Sequence, residues 1–410
     1  MFLLPNSYVQ LLKRKDFFTL SLLIFIGQAA SAFLVLSLIV SVFLKTGSNL
    51  GVSGVILSFT IPAFFLMAFA GLFADAFDRR KIIIFANIFI ALVVLVIIIT
   101  QSVIYASIPL SFFYFAGNTF FIPASSAATA QLVSKKELLI ANTIFIFTLA
   151  GGVLLGLFIA SLVYFFLGAK ATLFVCEGLL IMAASLSFSL PKMLPIAKSH
   201  DSLISRIKSL WQGVVYMFTS RALWFFFVTF AAAQGVIFFG ITLAPGFFTE
   251  IIRIAIKQAI IFIFPVVGIG VLLGVYFIQK TKIRELYLIS LGNSIVGLTL
   301  LSFGLLIKVQ LLPQMLVALL SVPFLIFLGS GVTVVMVASR TAIQTRVPHT
   351  HQGIVFGANI ILASLIATIM SILAVIFEVV FGYLGTFVLG GTVLISAGAI
   401  LVYLGKRWKY

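Results

Sequence analysis

The fold of this chain is decided by residues 71–102, which read GLFADAFDRRKIIIFANIFIALVVLVIIITQS. Charged residues from Asp78 to Lys81 precede an uncharged, almost wholly apolar run at 82–102. A helix of about 20 apolar residues, rising 1.5 Å per residue, spans the hydrocarbon core of a bilayer. The stretch therefore predicts a transmembrane helix whose charged end lies at the membrane surface.

The rest of the chain has the same character. Of its 410 residues, 63% are hydrophobic and 9% are charged, whereas soluble domains carry about 25% charged residues. This composition excludes a water-soluble enzyme and a disordered chain. The one cysteine, Cys176, cannot form an internal disulfide, so a secreted disulfide scaffold is excluded as well. A polytopic membrane protein remains.

Apolar runs long enough to cross a membrane recur along the chain. Because lipid offers the backbone no hydrogen-bond partners, each run is predicted to be an α-helix. We count twelve: 17–44, 51–74, 82–102, 104–130, 138–167, 171–190, 222–246, 257–279, 285–307, 311–338, 354–381 and 383–404. The predicted fold class is an all-α membrane protein with two pseudo-symmetric six-helix bundles. The predicted domains are an N-terminal bundle at 1–190, a cytoplasmic amphipathic linker at 191–221 and a C-terminal bundle at 222–410.

The net charge of +17 reflects membrane topology rather than nucleic-acid binding, because the cations lie in short clusters between the spans. With the N-terminus inside, 21 of the 26 Lys and Arg residues fall in inner segments and 5 in outer ones. This asymmetry predicts a multi-pass protein of the cell membrane with both termini in the cytoplasm.

The two halves of the sequence resemble each other. Gln28 and Gln234 are 206 residues apart, as are Asn87 and Asn293. Ala128 and Val133 match Ala342 and Val347 at an offset of 214. These matches favour duplicated halves related by an axis along the membrane normal.

The hairpin after the second span carries the most specific motif in the chain. Gly71, Asp75, Asp78, Arg79 and Arg80 stand at the spacing of the cytoplasmic signature of the major facilitator superfamily, which the sequence therefore resembles. In that family the motif latches the two halves together. The resemblance implies that Gly71 allows close helix approach, that Asp75 faces a helix N-terminus and that Arg79 pairs with a carboxylate. Ala76 replaces the usual basic residue.

Other segments narrow the resemblance to bacterial efflux pumps of the macrolide and siderophore exporter branch, which are drug antiporters. Residues 122–142 resemble the helix 4–5 region of those pumps, and residues 344–357 resemble its second-half counterpart. Gln352 stands where Arg is usual. Gly151, Gly152 and Gly156 stand where exporters of this kind carry an antiporter motif. Gly152 replaces the proline of that motif. The alternative interpretation is that these glycines serve only helix packing.

The resemblance also implies a substrate cavity, because helices 1, 4, 7 and 10 line it in this superfamily. Its wall is expected to be aromatic with a few neutral polar groups, which suits an amphipathic or lipophilic solute. The residues implied are Gln28, Phe33, Asn118, Phe121, Gln234, Phe238, Phe239 and Ser330.

Two carboxylates fall within predicted spans, Glu177 and Glu378, and an intramembrane acid is a functional candidate by default. Both are candidates for ion coupling by protons. Helices 1 and 4 carry no acid, although many proton-driven relatives have one there. Glu378 lies near the outer end of its span, where contact with water is the alternative role.

The sequence thus predicts a secondary transporter that exports amphipathic small molecules by alternating access. A lysophospholipid-type flippase or facilitator is the transport alternative, and a non-transporting receptor or scaffold is the alternative from another class. No cofactor or metal is expected, since His349 and His351 lack further ligands. We expect a monomer in contact with membrane lipid that is not an enzyme and binds no nucleic acid. Gly268, Gly270 and Gly274 are predicted to serve helix packing.

Overall fold

The structure is a computed structural model, and it describes residues 6–100, 103–134, 136–194, 215, 219, 223–308, 314–347 and 352–407. Every regular element among these residues is a helix. The helices are α1 (Asn6–Leu12), α2 (Lys15–Thr46), α3 (Asn49–Ala76), α4 (Arg79–Ile99), α5 (Ile104–Gln131), α6 (Leu138–Ser187), α7 (Trp224–Gly246, continued by a π-helical turn at Phe247–Ile251), α8 (Ile256–Lys280), α9 (Glu285–Lys308), α10 (Gln314–Arg346) and α11 (Gln352–Arg407). The predicted amphipathic linker helix lies outside the described residues.

The twelve predicted spans are present. Nine of the described helices are long and apolar enough to cross a membrane. Two of these nine, α6 and α11, each contain two spans that meet at a glycine, which gives eleven spans. The twelfth span is α5, which is not among the nine. The helix α10 continues beyond its predicted end at 338, because its polar last turns remain helical up to Arg346.

Gly168 and Gly382 break α6 and α11 at the predicted loops. Both residues have positive φ and extended ψ, at 81° and −178° for Gly168 and 64° and 177° for Gly382. Only glycine adopts this conformation readily, because it has no Cβ. Each carbonyl accepts a hydrogen bond from a threonine hydroxyl four residues later, at 2.9 Å from Thr172 and 2.7 Å from Thr386.

The chain forms two compact units, and the division falls inside α3. Unit 1 contains residues 1–45 and 61–208, and unit 2 contains residues 46–60 and 209–410. The first part of α3 therefore groups with the second half of the chain. The domain boundaries that we derived from the sequence remain a prediction.

In unit 1, α6 packs closely on α2 through two glycines one helical turn apart. A Cβ on Gly152 would lie 2.6 Å from the carbonyl oxygen of Phe25, and one on Gly156 would lie 2.7 Å from the Cα of Ala29. Small residues of this kind let helix backbones approach in a membrane. Gly152 and Gly156 thus have the close helix contacts that the packing reading of this segment requires.

In unit 2, glycines bring α9 into contact with α10 and α11. Gly292 faces the carbonyl oxygen of Gly331, and Gly297 faces that of Gly391, each at 2.7 Å from where a Cβ would be. Gly270 and Gly274 pack in the same way on the α10 backbone at residues 326 and 330. Gly270 and Gly274 thus serve helix packing, as predicted, whereas no described heavy atom lies within 4 Å of the Cβ position of Gly268.

The two units repeat the same helix contact. In unit 1, Gly117 on α5 faces the Phe89 and Ile90 side chains of α4. In unit 2, Gly331 on α10 faces Ile295 and Val296 of α9. The α4 residues and their α9 counterparts are 206 apart, and the glycines are 214 apart. These are the offsets seen in the sequence, so the contact supports duplicated halves.

Candidate functional site

Asp78 caps the start of α4 on the predicted cytoplasmic side of unit 1. Its Oδ1 accepts hydrogen bonds from the backbone N–H groups of Arg80, at 3.0 Å, and Met193, at 3.1 Å. A carboxylate here satisfies backbone donors and interacts favourably with the helix dipole. The Asp75 side chain is exposed, and its expected place at the N-terminus of a neighbouring helix remains a prediction.

Arg79 is buried, but its described partners are neutral. Its guanidinium donates to Oε1 of Gln131 at 2.6 Å and to the carbonyl oxygen of Leu194 at 3.4 Å. The Gln131 amide donates to the same carbonyl at 3.0 Å. Among the described contacts, Arg79 thus meets an amide and a carbonyl, and its expected pairing with a carboxylate remains a prediction. The Arg80 guanidinium donates to the carbonyl oxygen of Phe188 at 2.6 Å, so the hairpin at 71–81 contacts the C-terminal end of α6.

Gly71 does not have the close helix contact that we expected. No described heavy atom lies within 4 Å of the position that its Cβ would occupy. The expectation at Gly71 is therefore not met in this structure, and a side chain would fit there.

Unit 2 contains an ion pair between the start of α9 and the end of α10. Arg346, at the end of α10, lies 3.5 Å from Oε2 of Glu285, at the start of α9. Its guanidinium also stacks 4.8 Å from the centre of the Phe226 ring. Glu285 follows Arg79 by the repeat offset of 206, whereas Arg346 follows Leu132, and not Gln131, by the offset of 214. Our sequence analysis did not predict this pair.

The predicted cavity residues of unit 1 are all buried, on α2 and α5. Gln28 and Asn118 are 7% and 6% exposed, and no described residue accepts a hydrogen bond from the Gln28 Nε2. Phe33 and Phe121 are 2% and 1% exposed, and Phe121 belongs to the core cluster around Leu23. The two phenylalanines are thus core side chains here, because neighbouring helices cover them, and the two amides are the better candidates for solute contact.

The predicted cavity residues of unit 2 are half-buried. On α7, Gln234, Phe238 and Phe239 are partly exposed, and the Phe238 ring lies 5.6 Å from that of Phe59. On α10, the Ser330 hydroxyl donates to the carbonyl of Phe327 at 3.0 Å, which occupies its proton within its own helix. A separate cavity of about 20 Å³ inside unit 2 has Asn293 as its polar lining residue.

The two intramembrane acids have different surroundings. Glu177 on α6 is half-buried, and its Oε2 is buried without a hydrogen-bond partner in the part of the chain that the structure describes. Glu378 on α11 accepts a hydrogen bond of 2.9 Å from Nδ2 of Asn49. The same amide donates to the Tyr383 hydroxyl at 2.7 Å. Nothing in the sequence indicated that Asn49, 329 residues away from Glu378, is its partner.

An exposed ion pair ties the N-terminal segment to the start of α6. Arg14 binds both carboxylate oxygens of Glu137, at 3.1 and 2.5 Å, and Ser134 donates to Glu137 as well. The Arg14 hydrogen bonds, followed by those from Ser134, lower the pKa of Glu137 to about 2. A depressed pKa means that the pair is intact above the ordinary glutamate range and is lost only as the pH falls toward 2.

No metal site is visible in the described part of the chain, where no three His, Cys, Asp or Glu residues converge. His349 and His351 lie outside the described residues.

The twelve apolar spans, the helix contact that recurs in both units and the charged hairpin at 71–81 define a polytopic membrane protein. The family model described as Major Facilitator Superfamily matches residues 17–370. The chain therefore belongs to that superfamily and is a membrane transporter of its kind. Proteins of the superfamily are in general transporters and not enzymes.

Solved structures share the fold at low sequence identity. A crystal structure of the nucleoside transporter NupG has a TM-score of 0.72 at 14% identity, over 97% of this chain and 100% of that one. A POT family transporter in complex with 5-aminolevulinic acid has a TM-score of 0.72 at 13% identity, over 95% and 96%. The POT family transporter PepTSo has a TM-score of 0.71 at 11% identity, over 99% of both chains. None of the curated proteins matches at a significant level.

Proposed function

We propose that this transporter exports amphipathic or lipophilic small molecules by alternating access. The observation that carries the proposal is the chemistry of the four helices expected to line the cavity. Their membrane portions, at 17–44, 104–130, 222–246 and 311–338, contain no Asp, Glu, Lys or Arg. Their polar side chains are neutral amides and hydroxyls, and an aromatic wall with sparse neutral polar groups matches a lipophilic solute better than a phosphate or a sugar acid.

The burial of the Gln28 amide, whose Nε2 has no hydrogen-bond partner among the described residues, supports this proposal. A buried amide without a partner is costly, and a solute that hydrogen-bonds to it regains that energy. The unpaired Nε2 of Gln28 would donate to a carbonyl or ether oxygen of the solute. The proposed substrate is therefore an apolar molecule that carries a few neutral acceptors.

Vesicle transport tests the proposal. Purified protein in proteoliposomes should accumulate Nile red, a neutral lipophilic dye with a ring carbonyl that can accept a hydrogen bond from Gln28, when a pH gradient is imposed. Gln28→Leu and Asn118→Leu should each reduce the rate about tenfold, the cost of one hydrogen bond to solute. The matched control is Phe147→Leu, because Phe147 is 73% exposed on α6.

The alternatives give different results in the same vesicles. Movement of a fluorescent lysophospholipid without any gradient, with no dye accumulation, would favour the flippase. No movement of either probe, together with a partner retained through purification, would favour the receptor or scaffold. Either result would contradict the exporter.

We further propose that Glu177 carries the coupling proton. Its buried oxygen has no described partner, so no ion pair holds the carboxylate in one charge state. Glu177→Gln should bind dye normally and lose pH-driven accumulation. Glu250→Gln, which removes an exposed carboxylate, is the control and should keep it. Accumulation at the normal rate in Glu177→Gln would overturn the assignment, and reduced thermal stability with intact coupling would indicate a structural role.

A further inference from the structure

The connection between α8 and α9 carries three exposed cations. Lys280 is the last residue of α8, Lys282 lies in the connection, and Arg284 directly precedes α9. All three side chains are exposed. Because four residues span at most about 14 Å even when fully extended, the three charges form one patch. We call residues 280–284 the α8–α9 loop.

The cations of the α8–α9 loop have no acidic partner in the part of the chain that the structure describes. The Lys280 ammonium lies 5.9 Å from the centre of the Tyr276 ring. No described oxygen pairs with the side chain of Lys282 or Arg284. The next residue along the chain is Glu285, but its carboxylate belongs to the ion pair with the end of α10. The loop therefore presents a net positive charge at the protein surface.

The equivalent hairpin of unit 1 uses its charges within the protein. At the repeat offset of 206, Asp78 corresponds to Arg284, so an acid in unit 1 is replaced by a base in unit 2. Asp78 accepts from two backbone N–H groups, and the guanidinium groups of Arg79 and Arg80 donate to oxygens of unit 1. The cations of the α8–α9 loop lack such described contacts and are available to an anion outside the protein.

The loop continues a lipid-facing side of α8. Leu272, Tyr276 and Lys280 follow one another at four-residue intervals, so they lie along one face of the helix. Leu272 is 67% and Tyr276 is 60% exposed. Tyrosine is enriched where a span meets the headgroups, and at 1.5 Å per residue Lys280 lies about 6 Å beyond Tyr276 along the helix. An anion with an apolar part could therefore contact α8 and the loop together.

We propose that the α8–α9 loop binds the phosphate of an anionic phospholipid, whose acyl chain lies along Leu272 and Tyr276. A basic patch at the ends of membrane helices has the chemistry that recognises such headgroups. A free anion would make no contact with the apolar face, and a zwitterionic lipid would bring a further cation to a positive surface. The charge asymmetry of the chain predicts that the lipid comes from the cytoplasmic leaflet. The site is separate from the cavity residues and does not depend on the exported solute.

Thermal unfolding in detergent tests the site, since a ligand that binds only the folded protein raises the midpoint. Purified full-length protein is titrated with dioleoylphosphatidylglycerol, with dioleoylphosphatidylcholine or with inorganic phosphate. We expect a higher midpoint with dioleoylphosphatidylglycerol alone. The loop variant, Lys280→Gln with Lys282→Gln and Arg284→Gln, should bind this lipid about a hundredfold more weakly, from about fivefold for each cation near a membrane surface.

A matched variant separates a local site from the general attraction of a chain with a net charge of +17. Lys13→Gln with Lys15→Gln and Lys192→Gln removes three other exposed cations and the same total charge. This control should keep the affinity for dioleoylphosphatidylglycerol within about twofold, because attraction falls off within a Debye length of about 10 Å. Native mass spectrometry gives a second measurement, in which the parent and the control should retain one more lipid than the loop variant.

Four results would overturn the proposal. Equal affinity of the parent and the loop variant would exclude the site, and an equal loss in both triple variants would indicate general attraction instead. An equal midpoint increase with dioleoylphosphatidylcholine would exclude a role for the headgroup charge, and an equal increase with inorganic phosphate would exclude the lipid.

A smaller change keeps the test decisive if the loop variant does not fold. Lys282→Gln with Arg284→Gln leaves the contact between Lys280 and Tyr276 in place. It should still weaken the affinity for dioleoylphosphatidylglycerol about 25-fold, and an unchanged affinity would overturn the proposal.

Discussion

Substitution of Gly156 tests the packing of α6 on α2. A Cβ at Gly156 would lie 2.7 Å from the Ala29 Cα and 2.9 Å from the Ala32 Cβ. Backbone cannot move aside as a flexible side chain can, so the helices must separate, at a cost of about 1–3 kcal/mol for overpacking. Replacing a helical glycine with alanine gains about 0.5–1 kcal/mol on its own. The net effect of Gly156→Ala is thus a loss of up to about 2.5 kcal/mol.

Gly178→Ala, on the same helix, is the control that removes the propensity effect from the comparison. No described heavy atom lies within 4 Å of the position that a Cβ on Gly178 would occupy, so Gly178→Ala has the gain in helix propensity without the overpacking. Thermal unfolding in detergent should give a lower midpoint for Gly156→Ala than for Gly178→Ala, by the equivalent of about 1–3 kcal/mol. Equal midpoints would refute the inference that the α2–α6 spacing depends on this glycine.

Three further predictions concern polar groups at the ends of the helices. Asp78→Ala should destabilise the protein by about 0.5–2 kcal/mol in thermal unfolding, because α4 loses its N-cap. Exchanging the residues of the unit 2 pair, as Glu285→Arg with Arg346→Glu, should restore much of the stability that either single reversal removes, since the opposite charges meet again. Cysteines at Ser48 and Ser199 should react with impermeant reagents from opposite sides of the membrane, as the charge asymmetry predicts.

Each of these predictions has a distinct contrary result. Asp75→Ala is the comparison for the cap, and equal destabilisation by both variants would show that Asp78 has no special role. A double reversal as unstable as the sum of the single ones would mean that the ion pair contributes nothing. Labelling of both cysteines from one side, in a Cys176→Ala background, would contradict the predicted topology.

The sequence alone was sufficient for the helices and their number. Twelve spans, the breaks at Gly168 and Gly382 and the repeat offsets are all local features, since hydropathy and glycine conformation depend on a few neighbouring residues. The superfamily followed from the motif at 71–81, and the family comparison confirmed it.

Only the tertiary structure decided which polar groups meet. Arg79 donates to Gln131, 52 residues away along the chain, and Asp78 accepts from the backbone of Met193 as well as capping α4. Glu378 was recognised as an acid in a span, yet its partner Asn49 is 329 residues away. The physical reason is that hydrophobic periodicity fixes neither the rotation nor the depth of a helix surrounded by apolar residues on all sides. Glycine contacts between helices set both, and they bring distant amides and carboxylates within hydrogen-bonding distance.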